Sequence, residues 1–172
     1  MPLRKLAVLA VLGASLLSTS CSRGGIPVRT YPMGERVQLG HLIYTVFETQ
    51  WLTHLGEGPN ERVPQHRYFL VRMSITNAGS AETMVPAMTL VEDGDVSHAE
   101  LSNGESAPQW MGYLRLVKPA ETAQGNILFD VPPKRYKLRI TDETEQRVGL
   151  VDIPLTFGAE TPEVGTPGPA NP

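Results

Sequence analysis

HRYFLVRMSITNAG, the stretch from His66 to Gly79, carries the pattern that decides the fold. Phe69, Val71, Met73 and Ile75 alternate with Tyr68, Leu70, Arg72, Ser74 and Thr76. A period of two sends successive side chains to opposite faces of an extended strand, so one face is buried. Asn77, Ala78 and Gly79 end the run with turn chemistry, because asparagine and glycine tolerate positive φ.

The same period recurs outward from there. GNILFDVPP sets Ile127, Phe129 and Val131 against Asn126, Leu128 and Asp130, and its two prolines stop the strand because they lack the N–H a ladder needs. YKLRIT alternates Tyr136, Leu138 and Ile140 with Lys137, Arg139 and Thr141, and these two segments are expected to pair antiparallel. GHLIYTVFETQWL, Gly40 to Leu52, is rich in β-branched and aromatic residues. In TMVPAMTLVEDGD, Pro86 places the strand at an edge or a bulge. LRLVKP and VGLVDIPLTF add two short strands, and only GESAPQWMGY and the run from His98 to Leu101 suit a helical turn. Short strands with turns between them and no long amphipathic helix predict an all-β chain, an antiparallel β-sandwich of about seven to nine strands. The single cysteine means that no internal disulfide braces it.

At the start, Arg4 and Lys5 precede an uncharged run from Leu6 to Leu17, the plan of a signal peptide. The run is too short to stay as a span, since a helix needs about 20 apolar residues to cross a bilayer. Ser18, Thr19, Ser20 and Cys21 follow, and here the sequence resembles a bacterial lipoprotein signal, which is cut before a cysteine that carries diacylglyceryl and is then N-acylated. The departure is Ser18, three places before the cysteine, with Leu17 one place further away. The resemblance implies a signal peptide over residues 1–20, lipid attachment at Cys21 and a spacer over 21–33 containing Gly24, Gly25, Pro27 and Pro32. Acylation also removes the liability of a leftover thiol in an oxidising compartment. Each buried methylene adds about 0.8 kcal/mol, so two or three acyl chains hold a protein stably where one does not. Ser22 in place of the aspartate that favours the inner membrane implies the outer membrane in a cell with two. At the other end, residues 158–172 read GAETPEVGTPGPANP, a Pro/Gly-rich tail with too little apolar surface to fold. Residues 34–157 remain as one domain.

Charge narrows the partners. The chain has 15 Lys and Arg against 18 Asp and Glu; without Arg4 and Lys5 the balance is −5. No basic excess exists to attract a phosphate backbone, so the domain is not expected to bind nucleic acid or to grip anionic lipid by charge alone. Membrane contact falls to the N-terminal lipid, and an envelope protein or polymer is the expected partner.

YPMGERVQLGHLIYTVFE, RYFLVRMSITNAGSAE, TLVEDGD and LVKPAETAQGNILFDVP, in that order, resemble the bacterial immunoglobulin-like domain of unknown function found in envelope lipoproteins, a family related to a secreted mycobacterial antigen. Some members carry the label of telomeric repeat-binding factor, for which the charge gives no ground. The likeness runs from about Gly34 to Ile140; Pro119, Ala120 and Glu121 stand where members often have Pro-Gly-Glu. It implies an extracytoplasmic sandwich of the immunoglobulin type and supplies no catalytic residues.

Candidate chemistry is sparse. Glu92, Asp93 and Asp95 around Gly94 are oxygen donors of the kind calcium takes, although the same residues suit a hairpin tip and no bidentate glutamate follows at EF-hand spacing. His41, His54, His66 and His98 lack paired zinc spacing; with Met73, Met84, Met88 and Met111 they offer soft donors for copper, but methionine also fills cores. A small-ligand or metal carrier is therefore the alternative to a binding scaffold. No nucleophile elbow, phosphate-cradling loop or His-Glu-x-x-His helix is present, and neither an enzyme nor a cofactor is expected. Asp130 and Arg139 are candidates for an ion pair. Lys134, Arg135, Lys137 and Arg139 form a basic run that reads as a solvated outer face. Trp110, Met111 and Tyr113, beside Gly104, Pro108 and Gly112, form the candidate interaction surface, because aromatic residues on loops are what interfaces use. Trp110 is equally suited to plug one end of the core. The loop from His54 to Gln65 is the second variable surface.

Overall fold

The computed structural model describes residues 27–93 and 96–155. The expected signal peptide over 1–20, Cys21, Asp95 and the expected tail over 158–172 lie outside them. Among the described residues eleven strands follow in order: β1 (Arg29–Pro32), β2 (Val37–Leu39), β3 (Leu42–Leu52), β4 (Tyr68–Asn77), β5 (Thr83–Val85), β6 (Thr89–Val91), β7 (Ser97–Ala99), β8 (Arg115–Val117), β9 (Thr122–Asp130), β10 (Tyr136–Thr141) and β11 (Val148–Ile153). The chain is an all-β sandwich. One sheet runs β1-β11-β10-β6-β7, the other β2-β3-β4-β9, and β5 and β8 form a separate two-stranded ribbon. Patterning resolves seven to nine strands because five of the eleven are only three residues long, too short to display a period.

β4 is the spine of its sheet, paired antiparallel along its length with β3 and β9. Its predicted inner face, Phe69, Val71, Met73 and Ile75, packs with Ile127 and Phe129 against Leu90, Leu138, Ile140 and Val151 of the opposite sheet. At one end both faces of β4 are covered: Tyr68 and Leu70 join Leu128, Leu55 and Ala107 in a second cluster on the outside of the sheet.

The expected pairing of GNILFDV with YKLRIT does not form. β9 pairs with β4, whereas β10 pairs with β11 and β6 in the other sheet. Pro132 and Pro133 separate the two strands and carry the chain across the sandwich. Pro86 divides the TMVPAMTLV run more sharply than expected, sending β5 to the ribbon and β6 to the five-stranded sheet. Arg29–Pro32, within the stretch read as spacer, is an edge strand running parallel to β11.

Candidate functional site

Between β7 and β8 the chain makes a long excursion, Leu101 to Leu114, whose ends are tied together. Glu100 on one side and Arg115 on the other form an ion pair with side chains only 0% and 2% exposed. Glu100 Oε2 accepts the Met88 N–H at 3.2 Å, and Arg115 Nε donates to the Gly112 carbonyl at 2.7 Å. Burial pushes the Arg115 guanidinium down to about 10, an effect the nearby Tyr44 opposes, so the guanidinium remains charged at neutral pH. A loop with its ends clamped is an Ω-loop, a form that packs on its own side chains and is often functional.

The loop then lies across the outer strand of the four-stranded sheet as a strap. The Met111 N–H donates to the Asn126 carbonyl at 3.0 Å and the Asn126 N–H donates to the Gln109 carbonyl at 2.8 Å. These bonds form one rung of a parallel ladder, with Trp110 opposite Asn126. The Asn126 amide donates to the Pro108 carbonyl at 2.6 Å, and the Leu101 N–H to the Leu128 carbonyl at 2.8 Å. The approach needs glycine at two places. A Cβ on Gly125 would strike the Gln109 carbonyl oxygen, and one on Gly104 would strike the Trp110 indole. The Arg62 guanidinium donates to the Asn103 carbonyl, joining the loop from His54 to Gln65 to the strap.

The sequence-predicted surface residues are thus brought together, but not as a free aromatic patch. Trp110 is half-buried and caps the outer cluster of Tyr68, Leu70 and Leu128; it does not plug the sandwich. Met111 reaches the main core, and Tyr113 is half-exposed. Beside the strap, Glu48, Gln50, Leu70, Arg72, Gln109 and Asn126 line an open groove of about 220 Å³. Glu48 and Arg72 face each other there across β3 and β4 at 3.9 Å.

Sequence patterning misses two features. One is the Glu100–Arg115 clamp, because a charged residue in a short run reads as exposed. The other is the outer face of the β5–β8 ribbon, where Met84 (45% exposed) stands opposite Leu116 (57%), with Leu114 (78%) two residues before Leu116. The alternation in LRLV signals an exposed leucine row once Arg115 is recognised as pointing inward.

Glu92 and Asp93, the described members of the candidate calcium loop, make contacts within the fold. Glu92 Oε1 meets His98 Nε2 at 2.7 Å and its Oε2 meets Lys134 Nζ at 2.8 Å. Hydrogen bonds from Lys134 and then His98 hold the Glu92 carboxyl below its usual range. Asp93 lies 3.8 Å from Lys137. Among the described residues no group of three or more His, Cys, Asp or Glu side chains is arranged to hold a metal ion. Met73 and Met88 are core residues. Asp130 does not pair with Arg139, which stands on the other sheet; its carboxylate accepts the N–H groups of Gln65 and His66 at 2.7 and 2.9 Å. Within the basic run, Lys134 pairs with Glu92 and Arg135 with Asp152.

Solved structures share the fold, two of them as follows. The yjhA protein from Bacillus subtilis aligns over 72% of this chain and 99% of its own, with TM-score 0.57 and 16% identity. A secreted protein of Mycobacterium tuberculosis, MPT63, aligns over 74% of this chain and 98% of its own, with TM-score 0.55 and 14% identity. No curated protein sequence matches the chain. A family model described as domain of unknown function, DUF4352, matches residues 31–147. That span holds ten of the eleven strands in whole or part, the strap and its clamp, and on it the chain belongs to the DUF4352 family.

Proposed function

We propose that this chain is a non-enzymatic, lipid-anchored binding module of the bacterial cell envelope, tethered through Cys21 and contacting a protein or polymer through the strap region. The observation that carries the binding role is the strap itself, a clamped loop that sets Trp110, Met111 and Tyr113 on a rigid sheet. Its neighbour MPT63 is a secreted protein, which agrees with an extracytoplasmic address. The signal-like start, the Ser18-Thr19-Ser20-Cys21 box and Ser22 support a lipid anchor, in the outer membrane where a cell has two. Against catalysis, the acids displaced from their ordinary range, Glu92, Asp142 and Glu143, spend their oxygens on hydrogen bonds within the fold.

Two measurements test the reading. Intact mass and membrane fractionation compare the chain expressed with its own signal and the Cys21→Ser variant. A diacylglyceryl-sized addition on a chain beginning at Cys21, with only the variant soluble, supports the anchor; a soluble wild type with a free thiol overturns it. A photo-crosslinking residue at Tyr113 is then compared in cells with one at Gln146. Adducts to one envelope component at Tyr113 alone support the binding role, and equal background labelling at both positions counts against it.

A further inference from the structure

β9 is the outer strand of its sheet, and an uncovered outer strand is a template for pairing. Asn126 turns both its N–H and its C=O away from β4, toward the strap. Antiparallel alternation aims the same groups of Gln124 and Leu128 outward. The strap already behaves as a fifth strand, but over one rung only.

It also holds that place under stress. Gln109 sits at φ 50, a left-handed conformation that a side chain rarely adopts outside glycine. Trp110 Nε1 is buried without a hydrogen-bond partner among the described residues, a condition rare in folded proteins. The base of the loop is tied by the buried Glu100–Arg115 ion pair, with Glu100 also accepting the Met88 N–H and Arg115 donating to the Gly112 carbonyl. Beneath the tip lie Tyr68, Leu70 and Leu128, each almost fully buried, which become an apolar floor when the tip lifts.

Building on the reading of the chain as a binding module, we propose that the strap is a displaceable stand-in for a partner's strand. Its tip lifts about the Glu100–Arg115 clamp, and an extended segment of a partner polypeptide adds to β9, parallel to it as the strap is. The incoming main chain bonds to the outward groups of Gln124 and Asn126 and to the Leu128 N–H, the Leu128 carbonyl staying with Leu101 at the clamped base, and an aromatic or large apolar side chain takes the place of Trp110. Strand addition supplies affinity through main-chain bonds and selectivity through alternate side chains.

The test uses the full chain and a fluorescent peptide of the strap's own sequence, APQWMGYL, with a scrambled peptide as control. Trp110→Ala is expected to bind the strap peptide at least tenfold more tightly than the wild type does, with amide shifts centred on Gln124 to Leu128. Gln124→Pro, which removes an outward N–H, is expected to abolish that gain when combined with it. Equal affinity of the two chains, or equal binding of the scrambled peptide, overturns the proposal. So does a gain in affinity through pairing of two β9 edges, seen as dimerisation. Should a variant fail to fold, native-state hydrogen exchange of the wild type decides. Met111 and Asn126 amides exchanging at least a hundredfold faster than that of Phe129, which faces β4, support strap opening; equal protection overturns it. Failure here leaves the envelope-binding reading to be judged by the crosslinking experiment.

Discussion

Arg115 and Glu100 stand nearly without solvent, and the interior penalises an unpaired charge far more than a missing pair. Glu100→Gln or Arg115→Met alone is expected to lower the unfolding free energy by about 3–5 kcal/mol, read from the urea midpoint, because each strands a partner. The double variant Glu100→Leu with Arg115→Met is expected to recover most of that loss. Gly125→Ala forces a methyl group against the Gln109 carbonyl and is expected to cost about 1–3 kcal/mol; hydrogen exchange at Met111 reveals whether the strap yields before the sheet does. At this scale the sequence is only partly legible. Trp110, Met111 and Tyr113 announce themselves by residue type, but no local pattern reveals that Glu100 and Arg115 meet, since their partnership depends on where two connections turn.

Among the elements, hydrogen-bonded acids bind the turns to the sheets. The turn after β10 is organised by Asp142, whose carboxyl is favoured in its neutral form by burial but held below the usual range by bonds from Arg147, Gln146 and Thr144. Glu143 is also opposed by burial, and hydrogen bonds from its own N–H and from His41 hold it low, tying this turn to the one between β2 and β3. Glu92 does the same beside the β6–β7 hairpin. A carboxyl whose folded value lies below its unfolded value stabilises the fold above the unfolded value, and loses that contribution as pH falls through the folded one. Unfolding midpoints are therefore expected to hold steady from neutral pH down to about 5 and then to decline as pH drops through about 4 and below. Glu92→Gln and Glu143→Gln are each expected to flatten that decline. Element type is readable from period two in β4, β9 and β10, whereas partner choice is not. β9 and β10 have similar inward faces, yet they join different sheets on either side of the Pro132–Pro133 segment.

For the molecule as a whole, β1 begins beside Gly149, near the turn that follows Thr141, and β11 finishes beside Tyr136 at the far end. The proposed tether at Cys21 would therefore join the domain at the end that carries the Asp142–Arg147 turn. On vesicles bearing paramagnetic lipid headgroups, a probe at Glu145 is expected to relax faster than one at Asn60; equal relaxation would show that the domain lies flat. The sandwich class is legible from alternation, because it follows from burial along the strands. The edge strand Arg29–Pro32 is not, since its four residues are mostly exposed and Pro32 imitates a linker.

The parallel pairing of β1 with β11 bears on how this domain meets mechanical load. Tension applied between Arg29 and Ile153 draws the two strands along each other in opposite directions, so their hydrogen bonds resist together in shear instead of parting one at a time as in a zipper. In a pulling experiment the domain is expected to yield in one high-force event, and Leu150→Pro, aimed at the register position opposite Thr30, is expected to lower that force. An antiparallel pairing of the same two strands would have put both pulling points at one end and allowed the sheet to peel.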